Sequence, residues 1–311
     1  IGMGGGTFHS RYEPELFGYG ETTPQYKAAF TNYCRAIESH LTEKGWLDES
    51  FVYWFDEPEP KDYPFVMNGF RKLKEAAPGI GRMLTEEVVP ELEGGPNIWC
   101  PLTPNFDMDA AARRRAQGDR FWWYLCCGPH APYVTLFIDH PGTELRVWLW
   151  QTWQRKIDGL LIWQTNHWTS AAAYPDTLQN PYEDCMSWTE GYDTPAGKKI
   201  PWGNGDGRFL YPPEAAATGQ QDGLVLAPPV PAIRIEMLRD GIEDHEYLVL
   251  LDRLLKEKGA ALDEATRANY TALLEVPAAI SESLTKFTTD PAPIEAHRAK
   301  LANAIADLTA R

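Results

Sequence analysis

Short apolar runs alternate with helix-like segments through the first half of the chain. Five runs rich in β-branched and aromatic residues have the length and composition of strands. They occupy residues 51–55, 81–87, 97–102, 120–127 and 159–168, and residues 1–8 look like the end of an earlier strand. Between the strands, apolar residues recur at helical spacing over residues 24–44, 65–77, 108–117 and 142–156. This alternation predicts a parallel β-sheet covered by helices.

The second half of the chain has a different pattern. Residues 169–232 are rich in Pro, Gly, Asn and Asp and lose helical periodicity, which predicts a long loop or hairpin excursion. Residues 233–311 return to helical patterns, with one long helix ending near Lys258 and one or two closing helices after it. We expect these C-terminal helices to belong to the same domain as the strands of residues 1–168.

The strand at residues 51–55 ends at two adjacent carboxylates. Its sequence, FVYWF, is apolar or aromatic throughout, which predicts burial on both faces of the sheet. Asp56 and Glu57 follow directly, and Pro58 and Pro60 prevent the strand from continuing. The pair therefore belongs at the carboxyl edge of the sheet, where active sites of α/β proteins lie. A solvated turn is the alternative explanation for any Asp-Glu pair, but the aromatic strand before this pair and the similar strands after it favour catalysis.

The composition narrows the class of ligand. A net charge of −15 argues against nucleic acid or an anionic membrane as the partner, and it is compatible with a neutral small molecule or glycan. No stretch of 18 apolar residues occurs, so no membrane span is predicted. Twelve Trp and 14 Tyr residues are many for this length; core packing is one explanation and a carbohydrate site is another, because aromatic faces stack on sugar rings.

Metal and cofactor sites are not predicted. No group of His, Asp or Glu residues has the spacing of metal ligands, and no cofactor motif is present. Asp206 lies among glycines, as in some calcium loops, but one acid is far short of a ligand set. A tight turn is therefore the preferred interpretation of that segment.

Three blocks of the sequence together resemble the catalytic domain of glycoside hydrolase family 123 and the broader group catalogued as domain of unknown function 4091. The blocks are YWFDEP at 53–58, PWGNGDG at 201–207 with Tyr211-Pro212, and RIEMLRDGIEDHEY at 234–247. The similarity runs from about residue 45 to about residue 255. It implies a (β/α)8 TIM-type barrel and an exo-acting β-N-acetylgalactosaminidase that retains anomeric configuration through substrate-assisted catalysis.

The resemblance also implies that part of the barrel is missing. In this family the acid pair ends the fourth strand, so the four strands that follow residue 57 complete the barrel as strands five to eight. The first two strands, and part of the third, are then absent at the N-terminus, as is the β-sandwich domain that commonly precedes the barrel. We therefore expect a missing N-terminal segment or completion by another chain. A glycan substrate would suit a secreted or periplasmic protein.

Adjacent carboxylates suit a mechanism in which the substrate supplies the nucleophile. A conventional retaining glycosidase sets two carboxyl groups about 5–5.5 Å apart across the scissile bond, which consecutive residues cannot easily do. The resemblance assigns Glu57 as the acid and base, and Asp56 as the carboxylate that hydrogen-bonds the 2-acetamido N–H. Glu57 must then be protonated at working pH, which burial by Trp54 and Phe55 would promote.

Polar and aromatic side chains at strand ends are candidates for the sugar pocket. They are Tyr124, Trp163 and Trp168 for stacking on the sugar, and His9, Asn166 and His167 for binding its hydroxyl groups. For each of them, packing in the core or exposure at the rim is an equally good explanation.

Two alternatives remain open at this point. Glu86 and Glu87 also end a strand, so Glu57 with one of them could form a conventional pair acting on a sugar without an acetamido group. The non-enzyme alternative is a glycan-binding or structural barrel whose missing strands leave the acid pair inert.

Overall fold

The computed structural model describes residues 11–168, 180–183, 185, 203–217 and 223–310. Contacts within the chain divide it into two compact units. The first unit consists of Ile1–Tyr124 with Ile157–Leu161, and the second of Leu125–Lys156 with Ile162–Arg311. Among the described residues, no helix combines the length and the hydropathy needed to cross a membrane.

A parallel β-sheet is the centre of the first unit. Its helices and strands are β1 (Glu15–Leu16), β2 (Tyr19–Gly20), α1 (Pro24–Lys44), β3 (Phe51–Phe55), α2 (Tyr63–Ala76), β4 (Gly81–Leu84), β5 (Ile98–Trp99), α3 (Met108–Arg115), β6 (Arg120–Tyr124) and β7 (Gly159–Leu161). Strands β3 to β7 pair in parallel in chain order, while β1 and β2 form a separate antiparallel pair. The five strands predicted from residue 51 onward and their parallel pairing are confirmed.

The described residues do not form a closed eight-stranded barrel. The five-stranded sheet runs from β3 at one edge to β7 at the other. Neighbouring strands are consecutive in the chain, which is the order that strands have in a (β/α)8 barrel. The partial strand expected at residues 1–8 lies outside the described residues. The fold is thus a mixed α/β fold with part of a barrel-like sheet.

The limits of α1 follow from its sequence. The hydroxyl oxygen of Thr23 accepts a hydrogen bond from the Tyr26 N–H at 3.2 Å, and Pro24 fits the first turn. At the other end Gly45 has a φ of 70°, the left-handed conformation that glycine adopts without steric cost. Tyr26 lies in a buried cluster that includes the end of α2, so α1 and α2 cover the same face of the sheet.

The burial of β3 differs from the prediction. Phe55 is fully buried, and Val52 and Trp54 pack against the helix-facing cluster. Phe51 and Tyr53, however, are 36% and 37% exposed. Because the side of β3 that carries Phe51 and Tyr53 is partly open to solvent, the prediction of burial on both faces was wrong. A run of aromatic residues therefore does not distinguish a strand with two buried faces from a strand with one buried and one partly exposed face.

The second unit is mainly helical. Its helices and strands are α4 (Thr143–Gln154), β8 (Leu210–Tyr211), α5 (Glu214–Ala217), β9 (Val230–Pro231), α6 (Ile233–Lys258), α7 (Glu264–Ala272) and α8 (Ala292–Ala310). The predicted helices near residues 142–156 and 233–258 and the two closing helices are confirmed. β8 and β9 pair antiparallel inside the stretch predicted as a loop or hairpin excursion.

A buried ion pair joins α4 to α6. Nε and Nη2 of Arg146 donate to Oδ2 and Oδ1 of Asp244, each at 3.0 Å. Trp150 Nε1 donates to Asp244 Oδ2 at 3.1 Å, and Arg298 of α8 lies 3.3 Å from Oδ1. Asp244 is 1% exposed and Arg146 5%, and Arg146 also donates to Glu295 of α8 at 2.5 Å, so both desolvated charges are compensated within one network. This part of the third sequence block therefore serves the packing of the helices.

Candidate active site

The acid pair follows a β-bulge at the end of β3. Tyr53 pairs with Met83 and Phe55 with Leu84, so Trp54 is an extra residue relative to β4. The rings of Trp54 and Phe55 both lie on the helix-facing side, the first against α1 and the second against α2. Because the bulge uses two residues on one side, the next carboxylate returns to the side of the sheet that carries Tyr53.

Two hydroxyl groups hold the carboxylate of Asp56. Tyr53 OH donates to Oδ1 of Asp56, and Thr85 Oγ1, just beyond β4, donates to the same oxygen at 2.8 Å. Within the described part of the chain, no donor contacts Oδ2, so that oxygen keeps its capacity to accept a hydrogen bond. Burial and the neighbouring Asp56 charge raise the pKa of Tyr53, which keeps the phenol protonated as a donor.

Glu57 is held through both its backbone and its side chain. Its φ of 39° is in the left-handed region, which typically costs a residue other than glycine about 1–3 kcal/mol. The Glu57 N–H donates to Thr85 Oγ1 at 2.8 Å. Tyr124 OH, at the end of β6, donates to Glu57 Oε1. The structure therefore brings three of the predicted site residues together in the first unit, namely Asp56, Glu57 and Tyr124.

Glu57 lies beside polar groups at the end of β4, namely Thr85 and Glu86, and not in the apolar surroundings that were predicted. The rings of Trp54 and Phe55 lie on the other side of the sheet, so they do not supply the expected burial. Burial, a hydrogen bond with Glu87 and the charges of Glu87 and Glu57 together raise the pKa of Glu86 from 4.5 to about 8, with burial as the largest cause. Glu86 thus carries a proton at neutral pH within the electrostatic field of Glu57.

Asp56, Glu57, Glu86 and Glu87 are the four acids that follow β3 and β4 at this edge of the sheet. Among the residues that the structure describes, no group of three or more His, Cys, Asp or Glu side chains could hold a metal ion. Asn105 Nδ2 donates to Glu87 Oε2 at 3.1 Å, so an amide side chain holds the carboxyl group of one of the four acids. Raised pKa values and hydroxyl donors suit proton transfer and the binding of a neutral polar molecule.

Trp163 is the best-exposed predicted sugar platform in the second unit, with 38% of its surface accessible. Its indole N–H contacts both carboxylate oxygens of Asp206, at 3.1 and 3.0 Å. Burial raises the pKa of Asp206 to about 7, opposed by the hydrogen bond from Trp163 and the charge of Arg234. Gly207 has a φ of 74°, and a Cβ there would lie 3.0 Å from Trp163 and 2.9 Å from His167. The exposed ring is thus held against a tight turn.

The other predicted sugar ligands are held by backbone contacts. Asn166 forms an antiparallel bridge with Arg208, and Trp168 Nε1 donates to the Leu210 carbonyl at 2.6 Å. His167 is 9% exposed, and burial, together with the charge of Arg208, lowers its pKa. His9 lies outside the described residues. Contact of any of these side chains with sugar stays a prediction.

Three polar residues of these clusters were not predicted as functional. Tyr53 and Thr85 contact Asp56, and Asp206 contacts Trp163. The turn expected around Asp206 is present, but its hydrogen bond to an indole 43 positions away was not foreseen. One indication of Thr85 was present in the sequence, because this residue directly precedes Glu86 and Glu87, the acids that end the neighbouring predicted strand.

Comparison with known proteins shows that the chain resembles a family of glycoside hydrolases. Residues 10–251 match the family described as "Glycoside hydrolase 123, catalytic domain". Thirteen chains of solved structures match. One is a family 123 glycoside hydrolase from Clostridium perfringens, whose structural analysis addressed glycolipid glycan hydrolysis; it has 15% sequence identity and a TM-score of 0.51. The match covers 95% of this chain and 46% of that one, so the chain spans about half the length of the relative. No curated protein matches.

Proposed function

Because the chain belongs to the family of glycoside hydrolase 123 catalytic domains, we propose that it is a retaining, exo-acting β-N-acetylgalactosaminidase. In this proposal the 2-acetamido group of the substrate is the nucleophile, Asp56 orients that group, and Glu57 transfers the proton. The substrate is a glycan that ends in a β-linked 2-acetamido sugar. The proposal needs no metal ion or organic cofactor.

The unequal use of the two Asp56 oxygens is the observation that carries the proposal. Tyr53 and Thr85 both donate to Oδ1, while no described donor contacts Oδ2. A carboxylate held in this way offers one fixed acceptor to an N–H group, which is what alignment of an acetamido group requires. A sugar with a hydroxyl group at position 2, in place of the acetamido group, would not need a second carboxylate directly beside the proton donor.

The proposed reaction has two steps. First, the acetamido oxygen attacks the anomeric carbon from the face opposite the leaving group, while the Glu57 carboxylic acid gives its proton to the glycosidic oxygen. The aglycone leaves as an alcohol, and Asp56 Oδ2 accepts the hydrogen bond of the positively charged oxazolinium N–H. Water then attacks the same carbon, Glu57 takes one of its protons, and the ring reopens to the amide. Two inversions retain the β configuration.

Tyr124 supports the change of role of Glu57 between the two steps. Its hydroxyl donates to Oε1, so one oxygen of Glu57 is held while the other transfers the proton. A hydrogen bond to the carboxylate stabilises the state that follows proton donation. The restrained carboxyl group then lies ready for the incoming water.

The primary test is release of 4-nitrophenol from its β-N-acetylgalactosaminide. We expect turnover by the wild type, inhibition by a thiazoline mimic of the oxazoline, and a loss of roughly 10²–10⁴-fold in Glu57→Gln. Asp56→Asn should reduce kcat strongly, because an amide can present its NH₂ group where the substrate needs an acceptor. The first product detected by NMR should be the β anomer.

Turnover of a plain galactoside at the same rate as the acetamido substrate would refute substrate assistance, as would insensitivity to the thiazoline. A wild type that binds the sugar without cleaving it would favour the binding-protein alternative. Calorimetry measures sugar binding without turnover, so it distinguishes a binding protein from an enzyme.

A conventional two-carboxylate glycosidase is the second candidate function. The observation that favours it is Glu86, which has a pKa raised to about 8 and lies in the field of Glu57. A protonated Glu86 could act as the acid while Glu57 acts as the nucleophile. In that case Glu86→Gln would abolish cleavage of a sugar that lacks the acetamido group, and azide would rescue Glu57→Ala as a glycosyl azide product.

A further inference from the structure

The hydroxyl group of Thr85 contacts both members of the acid pair. Its oxygen accepts the backbone N–H of Glu57 at 2.8 Å and donates to Asp56 Oδ1 at 2.8 Å. The side chain is 3% exposed, so water does not readily replace either contact. We propose that Thr85 is a positioning residue that sets the orientation of Asp56 relative to Glu57, with Tyr53 as its partner. This role in catalysis rests on the proposed function.

The backbone of Glu57 explains why one hydroxyl group can have a large effect. The left-handed φ of 39° disfavours the observed conformation of Glu57 unless other contacts hold it. The hydrogen bond to Thr85 is such a contact, because it fixes the peptide between the two acids. Without it the partly buried N–H of Glu57 loses this acceptor, and the strained backbone can relax towards an ordinary conformation.

The hydrogen bond from the Thr85 hydroxyl group to Asp56 restrains the second acid of the pair. By donating to Oδ1, Thr85 and Tyr53 fix the plane of the Asp56 carboxylate and direct Oδ2 away from both hydroxyls. A hydroxyl that donates to a carboxylate is polarised, and it therefore accepts the Glu57 N–H more strongly. The two contacts of Thr85 are cooperative, so removal of the hydroxyl disturbs both acids together.

A capping role without influence on chemistry is the alternative for Thr85, since hydroxyl side chains often satisfy backbone groups at the ends of strands. Two substitutions distinguish these roles. Thr85→Val keeps the branched shape and removes the hydroxyl, whereas Thr85→Ser keeps the hydroxyl and removes a methyl group. A capping role without influence on chemistry lets Thr85→Val lower stability but not kcat, and a packing role harms both variants, while a positioning role lowers kcat in Thr85→Val and spares Thr85→Ser.

The kinetic test compares these variants on 4-nitrophenyl β-N-acetylgalactosaminide at equal folded fraction. We expect Thr85→Val to lower kcat roughly 100-fold with KM within about threefold of wild type, because a displacement near 1 Å has that effect on a positioned group. Thr85→Ser should stay within about fivefold of wild type. In an Asp56→Asn background the further loss from Thr85→Val should shrink, since part of it acts through Asp56.

Equal kcat in the two Thr85 variants would overturn the proposal, as would an effect confined to KM. A full 100-fold loss in the Asp56→Asn background would show that the Asp56 contact carries no positioning. If wild type cleaves only a sugar without the acetamido group, the proposed function fails. The ratio of the Val and Ser variants on that sugar then still tests the positioning of Glu57.

Amide hydrogen exchange supplies a readout that is independent of activity. The Glu57 N–H should exchange about tenfold faster in Thr85→Val than in wild type, because its acceptor is lost. Thr85→Ser should retain the wild-type rate. Equal exchange in all three proteins would refute the proposed geometry even if no substrate were cleaved.

Discussion

Glu86→Gln should stabilise the protein increasingly as the pH rises. The folded protein holds the Glu86 pKa at about 8, compared with an ordinary value of 4.5. Below pH 4.5 the carboxyl group is protonated in both the folded and the unfolded state, so it has no influence. Between pH 4.5 and 8 the unfolded chain releases this proton and the folded chain keeps it. Rising pH therefore favours unfolding, and the penalty is complete above pH 8.

The size of the penalty follows from the change in pKa. At about 1.4 kcal/mol for each pH unit, the rise from 4.5 to about 8 corresponds to at most about 5 kcal/mol. Glu86 is only partly buried, and solvent screening reduces this limit to roughly 2 kcal/mol. Glutamine has almost the same shape and cannot ionise, so the variant escapes the penalty. Its melting temperature should exceed that of wild type by about 4 °C at pH 8.5.

Thermal denaturation at pH 4.5, 6.5 and 8.5 measures the effect as the difference between variant and wild type. The difference should be near zero at pH 4.5 and grow through the interval. Glu49→Gln, at an exposed glutamate of the first unit, is the matched control and should show no such growth. A constant difference for Glu86→Gln across the three pH values would refute the argument that folding holds a proton on Glu86.

Three further substitutions test other parts of the structure. Gly159→Ala should cost about 1–3 kcal/mol, measured as a lower urea midpoint, because the new Cβ would lie 2.3 Å from the Trp122 ring. Asp244→Ala should cost about 3–5 kcal/mol, since it removes the buried partner of Arg146 and leaves Glu295 as its remaining carboxylate, and adding Arg146→Met should recover part of the loss. If Trp163 binds sugar as predicted, Trp163→Ala should raise KM roughly tenfold at little cost in stability, because the ring is 38% exposed; an unchanged KM would exclude this role.

Local patterns in the sequence were sufficient for most elements of the fold. The Thr23-Pro24 start and the Gly45 end define α1 because capping depends on residues within one turn. The strands were found because runs of β-branched and aromatic residues are short and bounded by turn residues. Asp56 and Glu57 could be proposed as candidate site residues because the end of a parallel strand is a position that the sequence itself indicates.

Contacts across the sheet could not be predicted in the same way. Thr85 reaches Asp56 from a position 29 residues later, and this contact depends on which strands are neighbours and on their register. The bulge at Trp54 is invisible in the sequence of β3 alone, because an extra residue is defined only relative to the partner strand. The expected burial of Glu57 by Trp54 and Phe55 does not occur, because at the bulge both rings lie on the helix-facing side.

The bulge in β3 makes the candidate site depend on strand register as well as on residue type. If the same strand paired with β4 in regular register, without the bulge, strict alternation would turn Phe55 to the side of Tyr53 and Asp56 into the helix-facing core. Transplanting the Asp-Glu pair onto another parallel sheet would therefore fail unless the irregular pairing were transplanted with it. For protein engineering, the smallest portable unit of this site is the bulged strand together with the hydroxyl group on its neighbour.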